Sequence, residues 1–143
     1  LNLSDQVFTF VDSEGGQWHW NASEGMRIAL ASGREPQAFY PSNHGLDIPQ
    51  LQSQYTDLDL EYALTTDLTK PILFVPFWDG THVLIDGWHR LAQAVLKAIP
   101  CLLCHELTEE EAYLVLVLRV PPEEKPKKLL PLARMSKKGG RKP

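Results

Sequence analysis

The stretch Thr81–Lys97, THVLIDGWHRLAQAVLK, constrains this chain more than any other part of it. Thr81–Ile85 is a short apolar run, Asp86-Gly87 interrupts it, and Leu91, Ala94, Val95 and Ala98 then recur at helical spacing up to Ile99-Pro100. The pattern predicts a strand, a tight glycine turn and a helix. Just upstream, Pro71–Phe77 (PILFVPF) is apolar and Trp78-Asp79-Gly80 is a turn signal, so the two apolar runs are predicted to pair as a hairpin. Glycine between a strand and a helix lets a ligand approach the backbone, and the helix behind it offers unpaired N–H groups and the positive end of its dipole. That is a candidate anion site before any side chain is counted.

The side chains at the turn sharpen the candidate. His89 and Arg90 fall in the first helical turn, where an imidazole and a bidentate guanidinium suit a phosphate. Asp86, just before the glycine, has three open roles: capping the helix, holding a divalent cation against the phosphate, or accepting a proton from a nucleophile. Taken singly, Arg90 reads as a surface salt bridge and His89 as a structural histidine. Their conjunction at one turn is what points to a site.

Elsewhere the periodicities assign most of the chain. Val7–Asp12 and Gln17–Asn21 flank Ser13-Glu14-Gly15-Gly16 and predict a first hairpin, with Trp18 and Trp20 on one face and His19 on the other. Ala22, Met26, Ala29 and Leu30 fall at helical spacing; Asn21 with Glu24 resembles a capping box, and Gly33 suits the helix stop. Residues 34–56, with three prolines and many polar groups, are expected to form a mostly irregular connection. Leu58, Leu60, Tyr62 and Leu64 fit either a strand or a helical turn. After Pro100 the run Cys101–Leu107 predicts a strand, and Thr108 with Glu111 forms a capping box opening a helix that is expected to run to about Val120. The fold class expected is α+β: a small mixed sheet with helices packed on it, in one domain over residues 1–120.

Charge divides the chain at Pro121. Residues 121–143 carry eight Lys or Arg against Glu123 and Glu124, whereas residues 1–120 carry six basic against sixteen acidic groups. The prolines and glycines of 121–143 predict a disordered basic tail, suited to DNA phosphates, to an acidic partner protein, or to solvent alone. With 43% apolar residues, the 143-residue chain can bury a core without disulfides or metals. No apolar run approaches bilayer length and the first residues lack the pattern of a secretion signal, so a cytoplasmic protein with no membrane partner is expected. Leu1 in place of Met is also what a fragment of a longer precursor would show.

THVLIDGWHRLAQAVLKAIPCLLCHELTEEEA, preceded by TTDLTKPILF, resembles the signature of the ParB/sulfiredoxin superfamily: a hairpin, a Gly turn with two basic positions opening a helix, a strand, and a Leu-Thr-Glu-Glu-Glu-Ala helix start. The resemblance covers Thr65–Ala112. It implies a stand-alone domain of that superfamily in which Gly87, Trp88, His89 and Arg90 hold the phosphates of ATP or another nucleotide. By the same resemblance Lys70 reaches those phosphates, Asp86 serves Mg2+ or proton transfer, and Asp86, His89 and Arg90 are catalytic. Sulfiredoxins carry a cysteine where this chain has Trp88, so their chemistry is not expected here. ParB proteins continue into a DNA-binding domain for which too little chain follows Val120. The members left include ATP hydrolases, nucleases, free-serine kinases, and plasmid fertility-inhibition factors of the Osa type, which interfere with conjugative DNA transfer. ATPase and DNase activity is the leading implication. A non-catalytic, nucleotide-regulated module that docks a partner protein is the alternative, and a free-serine kinase is a third reading.

Several other signals invite functional readings. Cys101-Leu-Leu-Cys104-His105 matches a haem-attachment or dithiol pattern, but sulfurs three residues apart on a strand point to opposite faces, so structural cysteines are expected. Asp57, Asp59, Glu61 and Asp67 could bind magnesium or simply form a solvated face. His82 could approach the turn if it faces the following helix, and otherwise is a surface strand histidine. Trp18, Trp20, Phe39 and Tyr40 suit either base stacking or packing.

Overall fold

The computed structural model describes residues 3–123. In chain order the elements are β1 (Val7–Val11), β2 (Gln17–Asn21), α1 (Ala22–Ala31), β3 (Gln37–Phe39), a 3-10 turn (Pro41–His44), α2 (Ile48–Gln54), α3 (Leu60–Ala63), β4 (Ile72–Pro76), β5 (His82–Asp86), α4 (Trp88–Leu96), β6 (Leu102–Glu106), α5 (Glu109–Leu114) and β7 (Leu116–Val120). The fold is α+β. Its strands form two sheets, a three-stranded one in the order β1-β2-β7 and a four-stranded one in the order β3-β6-β4-β5. The four-stranded sheet is mixed, because β6 returns parallel to β4 after α4 while β3 and β5 pair antiparallel.

Both predicted hairpins form, β1 with β2 and β4 with β5. Asp12 organises the first turn: its carboxylate accepts from the Glu14 and Gly16 amides and from the Trp18 indole, and these bonds hold its carboxyl below the usual value. Asn21 caps α1 by accepting from the Glu24 amide, as its spacing predicted, and Gly33 follows the helix with φ +79°. Thr108 and Glu111 complete a reciprocal capping box at α5.

Two expectations are corrected and one open reading is settled. Residues 34–56 are not an irregular connection: they hold β3, the 3-10 turn and α2, the last opened by a capping box between Asp47 and Gln50. The segment around Leu60 is a single helical turn, started by the Asp59 side chain accepting from the Tyr62 amide. The helix after Thr108 stops at Leu114 instead of running to Val120, because Leu116–Val120 pairs with β2 and joins the first hairpin into a sheet of its own. Alternating, β-branched VLVLRV with an open strand edge beside it gains more from pairing than from another helical turn.

The core lies between the layers. Leu51, Ile72, Leu73, Leu107 and Val75 are its largest fully buried side chains, each worth roughly 1.5–3 kcal/mol on burial. α1 comes close to the mixed sheet at Gly25, where an added Cβ would lie 3.1 Å from Leu73 and 3.3 Å from Leu107. Trp18 and Trp20 stack at 5.9 Å and both meet Phe77 edge-on, while the Arg119 guanidinium sits 4.3 Å from the Trp18 ring centroid. These indoles are packing residues, as one of the two sequence readings had it. Among the described residues no helix is long and apolar enough to cross a membrane. Residues 124–143, which carry the predicted basic tail, lie outside the described residues.

Candidate functional site

The strand–glycine–helix turn forms as its sequence predicts. Gly87 is the N-cap of α4 with φ +102°, a conformation that costs any residue with a Cβ. A Cβ there would also lie 2.4 Å from Ile72 Cγ2 and 3.0 Å from Ile72 Cα. Glycine is therefore required twice over, by backbone angle and by contact with β4. No side chain caps the helix, so Asp86 does not take the capping role. The early amides of α4 have no intrahelical acceptor, and residues 86–90 line a hollow of about 370 Å³ together with Phe8, Tyr55, Tyr62 and Thr66.

Each motif side chain has a defined place around that hollow. Trp88 is buried, donates its indole N–H to the Leu84 carbonyl at 3.0 Å, and stacks against Phe8 at 5.8 Å and Tyr55 at 5.6 Å, which are themselves 6.1 Å apart, so that the three rings form one cluster. It fixes the start of α4 rather than presenting a free ring face. His89 Nε2 accepts from the Asp59 backbone N–H at 3.1 Å, which leaves the proton on Nδ1. Burial lowers the pKa of this imidazole and Asp59 only partly opposes that, so His89 meets the hollow neutral rather than cationic. Tyr55 and Tyr62 stand edge-on to its ring at 5.7 and 4.8 Å.

Arg90 turns inward. One terminal nitrogen donates to the Pro71 carbonyl at 2.8 Å and lies 3.7 Å from the Asp86 carboxylate, while Nε is buried with no hydrogen-bond partner. A buried donor without a partner is costly and marks a place where a further acceptor would be favourable. Asp86 is pushed above the usual carboxylate value by burial, with Arg90 and the Gly87 amide pulling it partly back. A carboxyl shifted in that direction is a better proton acceptor at neutral pH than an exposed one.

Lys70 does not line this hollow; it is exposed, and its backbone N–H bonds the Asp67 carbonyl. Asp57, Asp59, Glu61 and Asp67 are exposed, Asp59 capping α3 and Asp67 accepting from Thr69, which is the solvated-face reading. Among the described residues no three His, Cys, Asp or Glu side chains are grouped to hold a metal ion. Asp86 is thus a single carboxylate, which fits a Mg2+ ion that brings its own waters and phosphate oxygens but not one held by protein alone. His82 does not line this hollow; it pairs through Nδ1 with Glu106 at 2.7 Å. Cys101 and Cys104 are free thiols, each half-buried, and burial raises the pKa of Cys104.

Sequence reasoning missed the residues that hold the hollow open from the far side. Gln93 is buried on α4, and its amide nitrogen donates to the Ala63 and Thr66 carbonyls and to the Thr66 hydroxyl, tying α3 to α4. Tyr55, Tyr62 and Thr66 enter from the segment between α2 and β4. The signal available was the spacing of Gln93 on the apolar face of its helix, a polar side chain with no reason to be buried unless something bonds it.

Comparison with family models, with curated proteins and with solved structures finds no match for this chain.

Proposed function

We propose that the hollow at the start of α4 binds the phosphates of a nucleotide and that the chain hydrolyses a phosphoanhydride or a DNA phosphodiester there. The reading is supported chiefly by one observation, the helix start at Gly87–Arg90 lining a hollow that also holds the half-buried Arg90 side chain, whose Nε is buried and unpartnered. In this scheme the Asp86 carboxylate accepts a proton from water as its oxygen attacks phosphorus. The bond from phosphorus to the leaving oxygen breaks, and that oxygen departs with the electron pair. Arg90 offsets the charge that builds on the phosphoryl oxygens, and a magnesium ion arriving with the phosphates would supply further charge stabilisation beside Asp86. His89, neutral and donating through Nδ1, can orient a phosphate oxygen but adds no charge. The basic residues beyond 124 add nonspecific affinity for DNA, and interference with conjugative DNA transfer fits that pairing of activities.

The second reading is a nucleotide-regulated binding module without turnover. It is favoured by the way His89 and Arg90 are already committed, to the Asp59 amide and to the Pro71 carbonyl. Incubating the purified chain with ATP and Mg2+, with and without DNA, separates the two. Phosphate release or strand nicking that disappears in Asp86→Asn supports hydrolysis. Saturable binding with neither product supports the module, and absence of both binding and product removes the phosphate reading.

A further inference from the structure

The larger hollow of the molecule lies elsewhere. A cleft of about 1060 Å³ opens between β1 and the face of the mixed sheet that carries Phe74, Leu84 and Cys104, with Phe39 and Leu51 along its other wall. Its volume exceeds the upper end of the range usual for small-molecule sites, roughly 300–1,000 Å³, and is closer to what a peptide segment fills. Phe8, Leu51, Val83, Leu84, Trp88 and Leu91 give it a buried apolar floor. Among the described residues no lysine or arginine lines it, and the one carboxylate there is Glu106, paired with His82. β1 and β3, both outer strands of their sheets, border it with Val11 and Phe39, so each offers unpaired backbone groups on one side. The cleft asks for an extended apolar segment with basic flanks.

We propose that residues 129–135 of this same chain, Leu-Leu-Pro-Leu-Ala-Arg-Met, occupy the cleft. The path of the chain brings them there. Val120 pairs opposite Gln17, and Gln17 opposite Val11, a residue of the cleft wall. At ~4.8 Å between strands, Val120 stands about 10 Å from that wall. From Glu123, the last described residue, six further residues reach Leu129, a span of up to ~20 Å when extended. Leu129, Leu130, Leu132 and Met135 supply the apolar side chains, and Lys127, Lys128 and Lys137 outside the segment, with Arg134 within it, carry charge opposite to Glu106 and to the acidic body of residues 1–120. This docking uses the leucines of the segment rather than its phosphate affinity, so it stands independently of the proposed hydrolysis.

Cys104 lines the cleft and reports its occupancy. In the full chain carrying Cys101→Ser, alkylation of Cys104 by iodoacetamide is compared with and without the further changes Leu129→Asp, Leu130→Asp and Leu132→Asp. The docked segment shields the thiol, so the leucine variant reacts roughly tenfold faster, equivalent to ~1.4 kcal/mol of docking, at every protein concentration. Equal rates overturn the proposal, as does shielding that grows with concentration, which would place the segment of a second copy in the cleft. Hydrogen exchange on the same two chains provides a readout that does not depend on the thiol. Protection at 37–39 and 82–84 is lost in the leucine variant if the segment docks, and unchanged exchange overturns it.

Discussion

Two hollows share a wall in this molecule. Phe8 and Trp88 line both the small polar hollow at the start of α4 and the large apolar cleft beside β1. On one side of that wall polar groups are dense and already engaged: the Asp59 amide holds His89, the Pro71 carbonyl holds Arg90, and burial raises the Asp86 pKa. On the other side apolar rings and aliphatic side chains dominate, and one histidine–carboxylate pair supplies the fixed charge. The difference separates two ways in which a chain makes a binding surface. The polar hollow is built around one short turn, whose five consecutive residues carry most of its chemistry. The apolar cleft is assembled from eight separate elements spread along the chain, with no single motif that announces it.

The shared wall is where the comparison breaks most easily. Trp88→Ala removes a buried indole stacked on two aromatic rings and joins the hollows, and is expected to cost about 4 kcal/mol in urea unfolding. A cost below about 1 kcal/mol would mean that the wall is not structural. Gly87→Ala comes next, at about 3 kcal/mol, because its positive φ and its contact with the Ile72 backbone are both violated. A cost near zero would mean that β4 and the turn are not packed as described. Gln93→Ala strips the Ala63 and Thr66 carbonyls of their buried donor and is expected to cost about 2 kcal/mol, while leaving thiol reactivity in the apolar cleft unchanged.

The smallest effect is a pH dependence confined to the polar side. The His89 pKa is lower in the folded chain than its ordinary 6.5, so as pH falls through 6.5 the unfolded chain takes a proton that the folded one refuses. Stability is therefore lost on acidification, down to the lowered folded value, and is fully present above 6.5. Between neutral and mildly acidic buffer, thermal denaturation should show His89→Gln losing ~2 °C less than the parent chain. An identical loss would assign the dependence to other groups.

What the sequence could reveal follows the same division. Both hairpins, the glycine turn, the Asn21 cap and the capping box at Thr108 rest on contacts within a few residues, and periodicity together with cap chemistry exposes those. β7 was read as helix because its partner, β2, lies about a hundred residues away in the chain. Residues 34–56 were read as irregular because three prolines masked a helix whose Asp47–Gln50 box carried the usual signal. Within the site, the order Asp86 to Arg90 was legible, but the neutrality of His89 was not. It depends on burial, to which two tyrosine rings that no local pattern connects to it contribute.

The central claim is that phosphate oxygens bind the amides opening α4. It is tested most directly by following the backbone amide resonances of the full chain during titration with ATP and Mg2+. The account predicts that the largest saturable shifts fall at Gly87, Trp88, His89 and Arg90 and vanish in Arg90→Ala. Shifts that leave those four amides unmoved, or that persist undiminished without the guanidinium, would contradict it.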